Sequence, residues 1–304
     1  MEYDIHSYSA LEVLEKHGKT FAFAGKLLDR KSLDSCARLY QFCRYADDLV
    51  DDAKDKAEAK SKLNLLSQEL KAGSSSDVVI QDFIDLSVEF NLDPRVTDEL
   101  LTGLSGDLEQ VRIQTIDDLL TYCYRVAGTV GLHMCSIFSV QEPTARAHAI
   151  DLGIAMQLTN ICRDVTEDAE GDRRYLPSAL VGQLEPSQIL EPRETDAQSI
   201  KRSVSELLDL ADQYYRSGFA GLAFLPPRFR TTIAVAARLY QEIGCVIKKR
   251  GYDVWLGRAY VDFPNKVLKG LIAALSLLHR RALSEKHNPK LHRGLGGLPW
   301  VSIN

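Results

Sequence analysis

Gln157-Leu158-Thr159-Asn160-Ile161-Cys162-Arg163-Asp164-Val165-Thr166-Glu167-Asp168 is the stretch whose reading decides the fold. Gln157, Asn160, Asp164 and Asp168 are offset by three, seven and eleven residues. Those offsets are close to whole turns of an α-helix, so the four side chains share one stripe. Beside it runs an apolar stripe of Ile150, Ile154, Leu158, Ile161 and Val165. An amide-carboxylate stripe bordering a core stripe is not a typical solvent face. It fits an inward-facing metal site in which Asn160 is a neutral oxygen ligand and Arg163 approaches phosphate from the flank.

A second acidic stretch lies more than a hundred residues earlier, Tyr40-Gln41-Phe42-Cys43-Arg44-Tyr45-Ala46-Asp47-Asp48-Leu49-Val50-Asp51-Asp52. Asp47 and Asp51 are i,i+4 neighbours on a helix, as are Asp48 and Asp52. Arg44 lies on the same face one turn earlier and Tyr40 two turns earlier. Four carboxylates so close to a helix C-terminus repel one another and the negative end of the helix dipole. A divalent cation relieves that repulsion. Taken alone, the run reads more readily as a solvated helix end. Paired with the first stretch, it predicts two carboxylate faces turned toward one cavity, holding about three magnesium ions on a diphosphate.

The rest of the chain is helical in pattern. Ser32 is placed to cap a helix running to about Asp52. Further helices are predicted from Val78 to Phe90, Pro94 to Gln110, Ile116 to Ser139, Thr144 to Glu167, Ser199 to Ala223, Phe229 to Arg250 and Asn265 to Ser284. Pro186 and Pro192 mark an irregular connection. No alternating strand pattern, midway linker or tandem repeat occurs. The fold class read from this is all-α, a single-domain helical bundle around a central cavity, over residues 1–285. The segment 286–304, with Pro289, Gly294, Gly296, Gly297 and Pro299, is expected to be loosely ordered.

The chain has 304 residues, 45% of them hydrophobic, and a formal net charge of -5. No long Lys/Arg run exists, so no nucleic-acid partner is expected. Six cysteines without a CxxC pair read as buried free thiols of a reducing compartment. No apolar run is long enough to span a bilayer, and no signal-peptide pattern opens the chain. The expected location is cytoplasmic, with peripheral contact at the inner membrane surface.

At these motifs the sequence resembles the phytoene/squalene synthase family of head-to-head prenyl synthases. The matching elements begin at His17-Gly18-Lys19-Thr20-Phe21 and include Cys43 to Asp52, Tyr122-Cys123-Tyr124-Arg125-Val126-Ala127-Gly128-Thr129-Val130-Gly131, and Gln157 to Asp164. They continue through Gly171-Asp172-Arg173-Arg174-Tyr175-Leu176-Pro177, Ala236-Ala237-Arg238-Leu239-Tyr240 and Gly251-Tyr252-Asp253-Val254. The Gln-Leu-Thr-Asn-Ile-x-Arg-Asp and Arg-Tyr-Leu-Pro wording is most similar to the bacterial and plant phytoene synthase branch.

The resemblance implies an isoprenoid synthase fold. It also implies condensation of two geranylgeranyl diphosphates, through prephytoene diphosphate, to phytoene. It assigns Asp47 and Asp51 to the first metal motif, and Asn160, Asp164 and Asp168 to the second. Asp48 and Asp52 are further candidate metal ligands. Tyr40, Arg44, Tyr122, Gln157 and Arg163 are implied to line the diphosphate pocket, Tyr240 to lie near the reacting diphosphate, and Arg258 to contact phosphate. His17 and Phe21 belong to a family-like motif and are candidate substrate contacts. The expected cofactor is Mg2+, with Mn2+ as substitute and without NADPH.

Chemistry requires the same parts. Breaking an allylic carbon-oxygen bond needs charge stabilisation on the leaving diphosphate, from magnesium, Arg44 and Arg163. The carbocation then needs a dry apolar chamber. Phe21, Phe23, Val126, Val130, Leu132 and Ala155 are candidate walls, and Gly128 and Gly131 leave room for long chains or for helix packing. His133 and Tyr124 read as core. The last helix, with Val267, Leu268, Leu271, Ile272 and Leu275, reads mostly as core, with transient membrane contact expected for product release. The alternative within the family is a squalene or dehydrosqualene synthase acting on farnesyl diphosphate. A catalytically silent scaffold is disfavoured by the intact pair of acidic motifs.

Overall fold

The computed structural model describes residues 5–140, 142–277 and 286–301. The chain opens with α1 (Ala10–His17), α2 (Lys19–Gly25) and the long α3 (Arg30–Asp51). Asp29, not Ser32, caps α3; its carboxylate accepts from the Ser32 amide at 3.0 Å. A carboxylate at that position also favours the positive end of the helix dipole.

Three helices then build a wall against α3. These are α4 (Lys56–Ala72), α5 (Val78–Phe90) and α6 (Pro94–Gly106). Each begins at an aspartate N-cap: Asp55, Asp77 and Asp93. Gly73 closes α4 in the left-handed region, at φ 71°, where a side chain would be strained. Phe42 of α3 and Phe83 of α5 stack with centroids 3.5 Å apart, and their burial ties the wall to α3.

The sequence predicts one helix from Ile116 to Ser139. The structure instead has α7 (Ile116–Cys123), a π-helical turn (Tyr124–Gly128) and α8 (Thr129–Ile137). A π-turn inserts one extra residue and rotates the following face, which often happens beside a functional cavity. The helix expected from Thr144 to Glu167 is likewise broken. It forms α9 (Pro143–Arg163) and α10 (Val165–Glu170), with Asp164 between them at φ -105° and ψ 17°. The turn-to-turn bonding survives the bend, because the Asp168 amide still donates to the Asp164 carbonyl at 2.8 Å.

Two short helices, α11 (Ser178–Val181) and α12 (Pro186–Leu190), fill the irregular connection. Then come α13 (Glu194–Gly221), α14 (Pro227–Lys249) and α15 (Phe263–Ser276). No strand occurs among the described residues, only an isolated bridge between Arg112 and Arg174. The all-α class read from the periodicity therefore holds.

Helix α9 runs through the middle of the bundle, with Ile150, Ile154, Ala155, Leu158 and Cys162 wholly buried. Glycines let its neighbours close on it. A Cβ on Gly153 would sit 2.4 Å from the Ala127 carbonyl oxygen, and one on Gly131 2.4 Å from the Ala149 carbonyl oxygen. Gly153→Ala is expected to destabilise the fold by about 1–3 kcal/mol, because backbone on the facing turn must move. Denaturant titration against the unmodified chain measures it; an unchanged midpoint would show that the contact can relax at no cost.

Three further expectations need correction. The segment 286–304, read as loosely ordered, is packed over residues 286–301. His292 and Leu295 are fully buried, and the Tyr214 hydroxyl donates to the Leu291 carbonyl at 2.6 Å. Glycine and proline here make a tight 3-10 path (Pro289–Leu295) that fits between helices, instead of a free end.

The last helix, read mostly as core, is not core on its large side chains. It packs through Gly270 and Ala273, while Leu268, Leu271 and Leu275 are exposed. Its predicted continuation to Ser284 lies outside the described residues. Finally, three of the six free cysteines, Cys36, Cys43 and Cys245, are only partly buried.

Candidate active site

Two adjoining cavities occupy the centre. The first, about 300 Å³, is polar and includes Asp47 and Asp51 of α3 and Asn160, Asp164 and Asp168 of the α9-α10 bend in its lining. The two acidic stretches therefore do face one chamber. The second cavity, about 370 Å³, is apolar and lined by side chains that include Phe21, Val130, Met134, Leu152 and Tyr240. Asp47, Val126, Gln157 and Asn160 belong to both linings, so the polar chamber lies directly beside the apolar one.

The electrostatics of the polar chamber are unfavourable without a cation. Burial, then Asp51, Asp107 and Asp48, push the Asp47 carboxyl up to about 7 against the pull of Arg44. Burial, then Asp164 and Asp107, raise Asp168 to about 7, with Arg173 opposing. The Asn160 amide nitrogen donates to Gln157 Oε1 at 3.2 Å, while its own oxygen is buried without a partner. A buried acceptor beside carboxylates that resist ionisation is what hard divalent cations satisfy. The donor set therefore fits magnesium.

Asp47 and Asp168 bind protons more readily in the fold than in the unfolded chain, where aspartate titrates near 3.8. The folded protein thus holds the extra protons up to about pH 7, and stability falls as pH rises through that region. His133, buried against Thr97 and held down to about 4, acts oppositely below pH 6.5. Chelator-treated protein is therefore expected to melt at a lower temperature at pH 8 than at pH 6.5, with magnesium removing the difference. A melting temperature that rises or stays flat between these pH values would contradict this electrostatic account.

The arginines divide the work. Arg163 grips Asp164 with both arms, Nε to Oδ1 at 2.7 Å and Nη2 to Oδ2. Arg258 approaches the same carboxylate, with Nε 3.2 Å from Oδ1, and reaches Glu167 at 3.3 Å. It sits at the rim, about half exposed, and is outside both linings. Arg44 is also outside them, held in an i,i+4 ion pair with Asp48.

Other expected residues fall in different places. Asp48 and Asp52, candidate ligands by sequence, do not line the polar chamber; Asp48 turns to Arg44, and Asp52 is the exposed C-cap of α3. The i,i+4 spacing puts them on a neighbouring stripe, about a residue's rotation away from Asp47 and Asp51. His17 is exposed at the end of α1 and outside both linings. Tyr40 and Gly131 line the apolar cavity, as does Tyr240, whose ring is 5.2 Å from Phe21. Tyr122 lines the polar one. Of the candidate walls, Phe21, Val126 and Val130 reach the apolar cavity, while Leu132 and Ala155 are buried in packing and Phe23 meets Phe263 edge-on at 6.3 Å.

Three residues of the chamber were not singled out from the sequence. Asp107, just past α6, accepts from the hydroxyls of Tyr175 at 2.7 Å and Tyr122 at 3.2 Å; burial raises its carboxyl to about 6. Tyr175 stacks on Tyr122 at 4.7 Å. Arg173 donates to Asp51 at 3.1 Å, bridging the two acidic motifs from the side of the second. The Gly171 to Pro177 run carried the signal for Arg173 and Tyr175. Asp107 stands alone after a helix and offers no periodic signal.

The family profile described as squalene/phytoene synthase matches residues 14–265 of the chain. A 15-cis-phytoene synthase of Enterobacter agglomerans is 36% identical over 274 residues, covering 86% of this chain and 92% of that protein. A 15-cis-phytoene synthase of Pantoea ananas is 32% identical, covering 92% and 94%. Among solved structures, a dehydrosqualene synthase in complex with a ligand superposes with a TM-score of 0.76 at 27% identity, over 90% of this chain and 97% of that one.

Proposed function

From the premise that this chain belongs to the squalene/phytoene synthase family and is a prenyltransferase, we propose that it is a phytoene synthase. It condenses two geranylgeranyl diphosphates head to head, through prephytoene diphosphate, to phytoene. The observation that carries this reading is that the two cavities adjoin and share Asp47, Val126, Gln157 and Asn160 in their linings. A diphosphate in the acidic chamber would leave its prenyl tail in the apolar one.

Asp47, Asp51, Asn160, Asp164 and Asp168 would hold magnesium, or manganese in its place, which supplies Lewis-acid stabilisation of the departing diphosphate. Arg163 and Arg258 orient Asp164, and the rim position of Arg258 also lets it meet phosphate oxygens. Arg173 supplies a fixed positive charge between the motifs. The Tyr122 and Tyr175 hydroxyls are held by Asp107, so the chamber wall stays preorganised. Once the allylic bond breaks, the cation is shielded from water by Phe21, Val130, Met134 and Leu152 while the second double bond attacks.

Phytoene is a hydrocarbon and must leave into lipid. No helix of the described residues is long and apolar enough to cross a membrane. The exposed Phe263, Leu268, Leu271 and Leu275, flanked by Lys266 and Lys269, would support peripheral contact at the cytoplasmic face of a membrane. The dehydrosqualene synthase neighbour keeps one second reading in view, condensation of farnesyl diphosphate.

Incubation of the purified protein with magnesium and each diphosphate, without NADPH, separates the two. Phytoene from the C20 substrate, at the higher kcat/KM, is the expected result. A C30 hydrocarbon formed more efficiently would transfer the assignment to the shorter substrate.

A further inference from the structure

Away from the acidic chamber, the core holds a second cluster of ligand-type side chains. Asp151 lies on α9, six residues before Gln157, and is completely buried. His292, on the C-terminal segment, is also completely buried, and its Nε2 lies 2.9 Å from Asp151 Oδ1. The His287 side chain is 7% exposed, with Nε2 3.0 Å from Asp151 Oδ2. The three ligand atoms lie within 4.8 Å of one another. Ser217 of α13 donates to Asp151 Oδ2, and its hydroxyl in turn meets His148 Nδ1 at 2.9 Å.

Hydrogen bonding alone does not account for this cluster. His287 Nε2 lies at ion-pair distance from the carboxylate but is not aligned for a hydrogen bond, so its only polar neighbour there is the carboxylate it meets off-line. Such polar atoms are costly to bury. A cation shared with the carboxylate would use the His287 lone pair directly.

The geometry points to a structural zinc site formed by Asp151, His287 and His292. Two imidazole nitrogens and one carboxylate oxygen suit zinc, whereas magnesium prefers an all-oxygen octahedron. Donors on a tetrahedral zinc lie about 3.3 Å apart, so the two nitrogen–oxygen spacings of 2.9 and 3.0 Å need to open by a few tenths of an ångström, within a group whose ligand atoms all lie within 4.8 Å of one another. Ser217 or a water supplies the fourth position, and His148 stands behind Ser217 as an outer partner. None of Asp151, His287 and His292 lines the acidic chamber. The ion would staple the C-terminal segment to α9, the helix that carries Gln157 and Asn160.

The test uses the full chain without an affinity tag, stripped with chelator and desalted. Zinc is then added in an excess of magnesium, and the protein is desalted again before elemental analysis. One zinc per chain is expected, and His287→Gln or His292→Gln should retain less than about a tenth of it. Asp47→Asn should retain all of it. Zinc should raise the melting temperature of the unmodified chain and not that of the two histidine variants.

Retention unchanged in both histidine variants, loss in Asp47→Asn, or no stoichiometric zinc in the unmodified chain would each overturn the site. Should a histidine variant fail to fold, cobalt substitution in the unmodified chain decides. A strong visible band of tetrahedral cobalt supports the site, and only the weak absorption of octahedral cobalt overturns it.

Discussion

Asp47→Asn is expected to lower turnover about 10³-fold while raising the melting temperature of chelator-treated protein at pH 8. Asp47 borders both cavities and is among the most strongly perturbed carboxyls of the chamber, its titration pushed up to about 7 by burial and by Asp51, Asp107 and Asp48. In the proposed mechanism it holds the metal that neutralises the leaving diphosphate. Loss of one such electrostatic contact typically costs 10²–10³ in rate, and a 10³-fold loss is about 4 kcal/mol in the barrier.

Without metal the same charge is only repulsive, so an isosteric neutral amide should relieve the fold. The two opposite signs separate a functional carboxylate from a structural one. Turnover under saturating substrate and magnesium gives the first, and a thermal melt in chelator the second. Activity within tenfold of the unmodified protein, or a lower melting temperature, would remove Asp47 from its role.

Gly25→Phe is expected to shift preference from the C20 to the C15 diphosphate, changing the ratio of the two kcat/KM values by about a hundredfold or more, roughly 3 kcal/mol. Gly25 ends α2 and lines the apolar cavity beside Leu28, Leu33 and Cys36. Cys36 is eleven residues before Asp47 on α3, about 16 Å along its axis. This end of the cavity is thus remote from the acidic chamber, where the tail of a long prenyl chain would lie.

A Cβ at Gly25 meets only the tip of Leu33, at 2.8 Å, which can rotate aside. A phenyl ring there would fill tail space without disturbing backbone. A variant that still folds yet keeps the C20 preference would show that the chain runs elsewhere. A product survey with each substrate, together with circular dichroism, reads both outcomes.

Much of the site could be read from the chain because its carriers are periodic. Asp47 and Asp51, and Asn160, Asp164 and Asp168, sit at helical intervals, and local spacing fixes the angle of each side chain about its own axis. The same regularity misplaces Asp48 and Asp52, since their spacing is as good as that of their neighbours. Arg44 was expected on phosphate and is held by Asp48 instead.

What the sequence determined alone was the helical class, the apolar stripe that buries α9 and the two acidic motifs. Backbone hydrogen bonding and side-chain periodicity are local, so a single chain segment carries that information. Tertiary structure decided which carboxylates share a chamber and that Asp107 and Arg173 join them. It also decided that α9 bends at Asp164 and that the C-terminal segment buries His292 against Asp151. These outcomes depend on what each side chain meets across the fold, where helix axes, burial and charge from distant residues combine, and no spacing within one segment contains that.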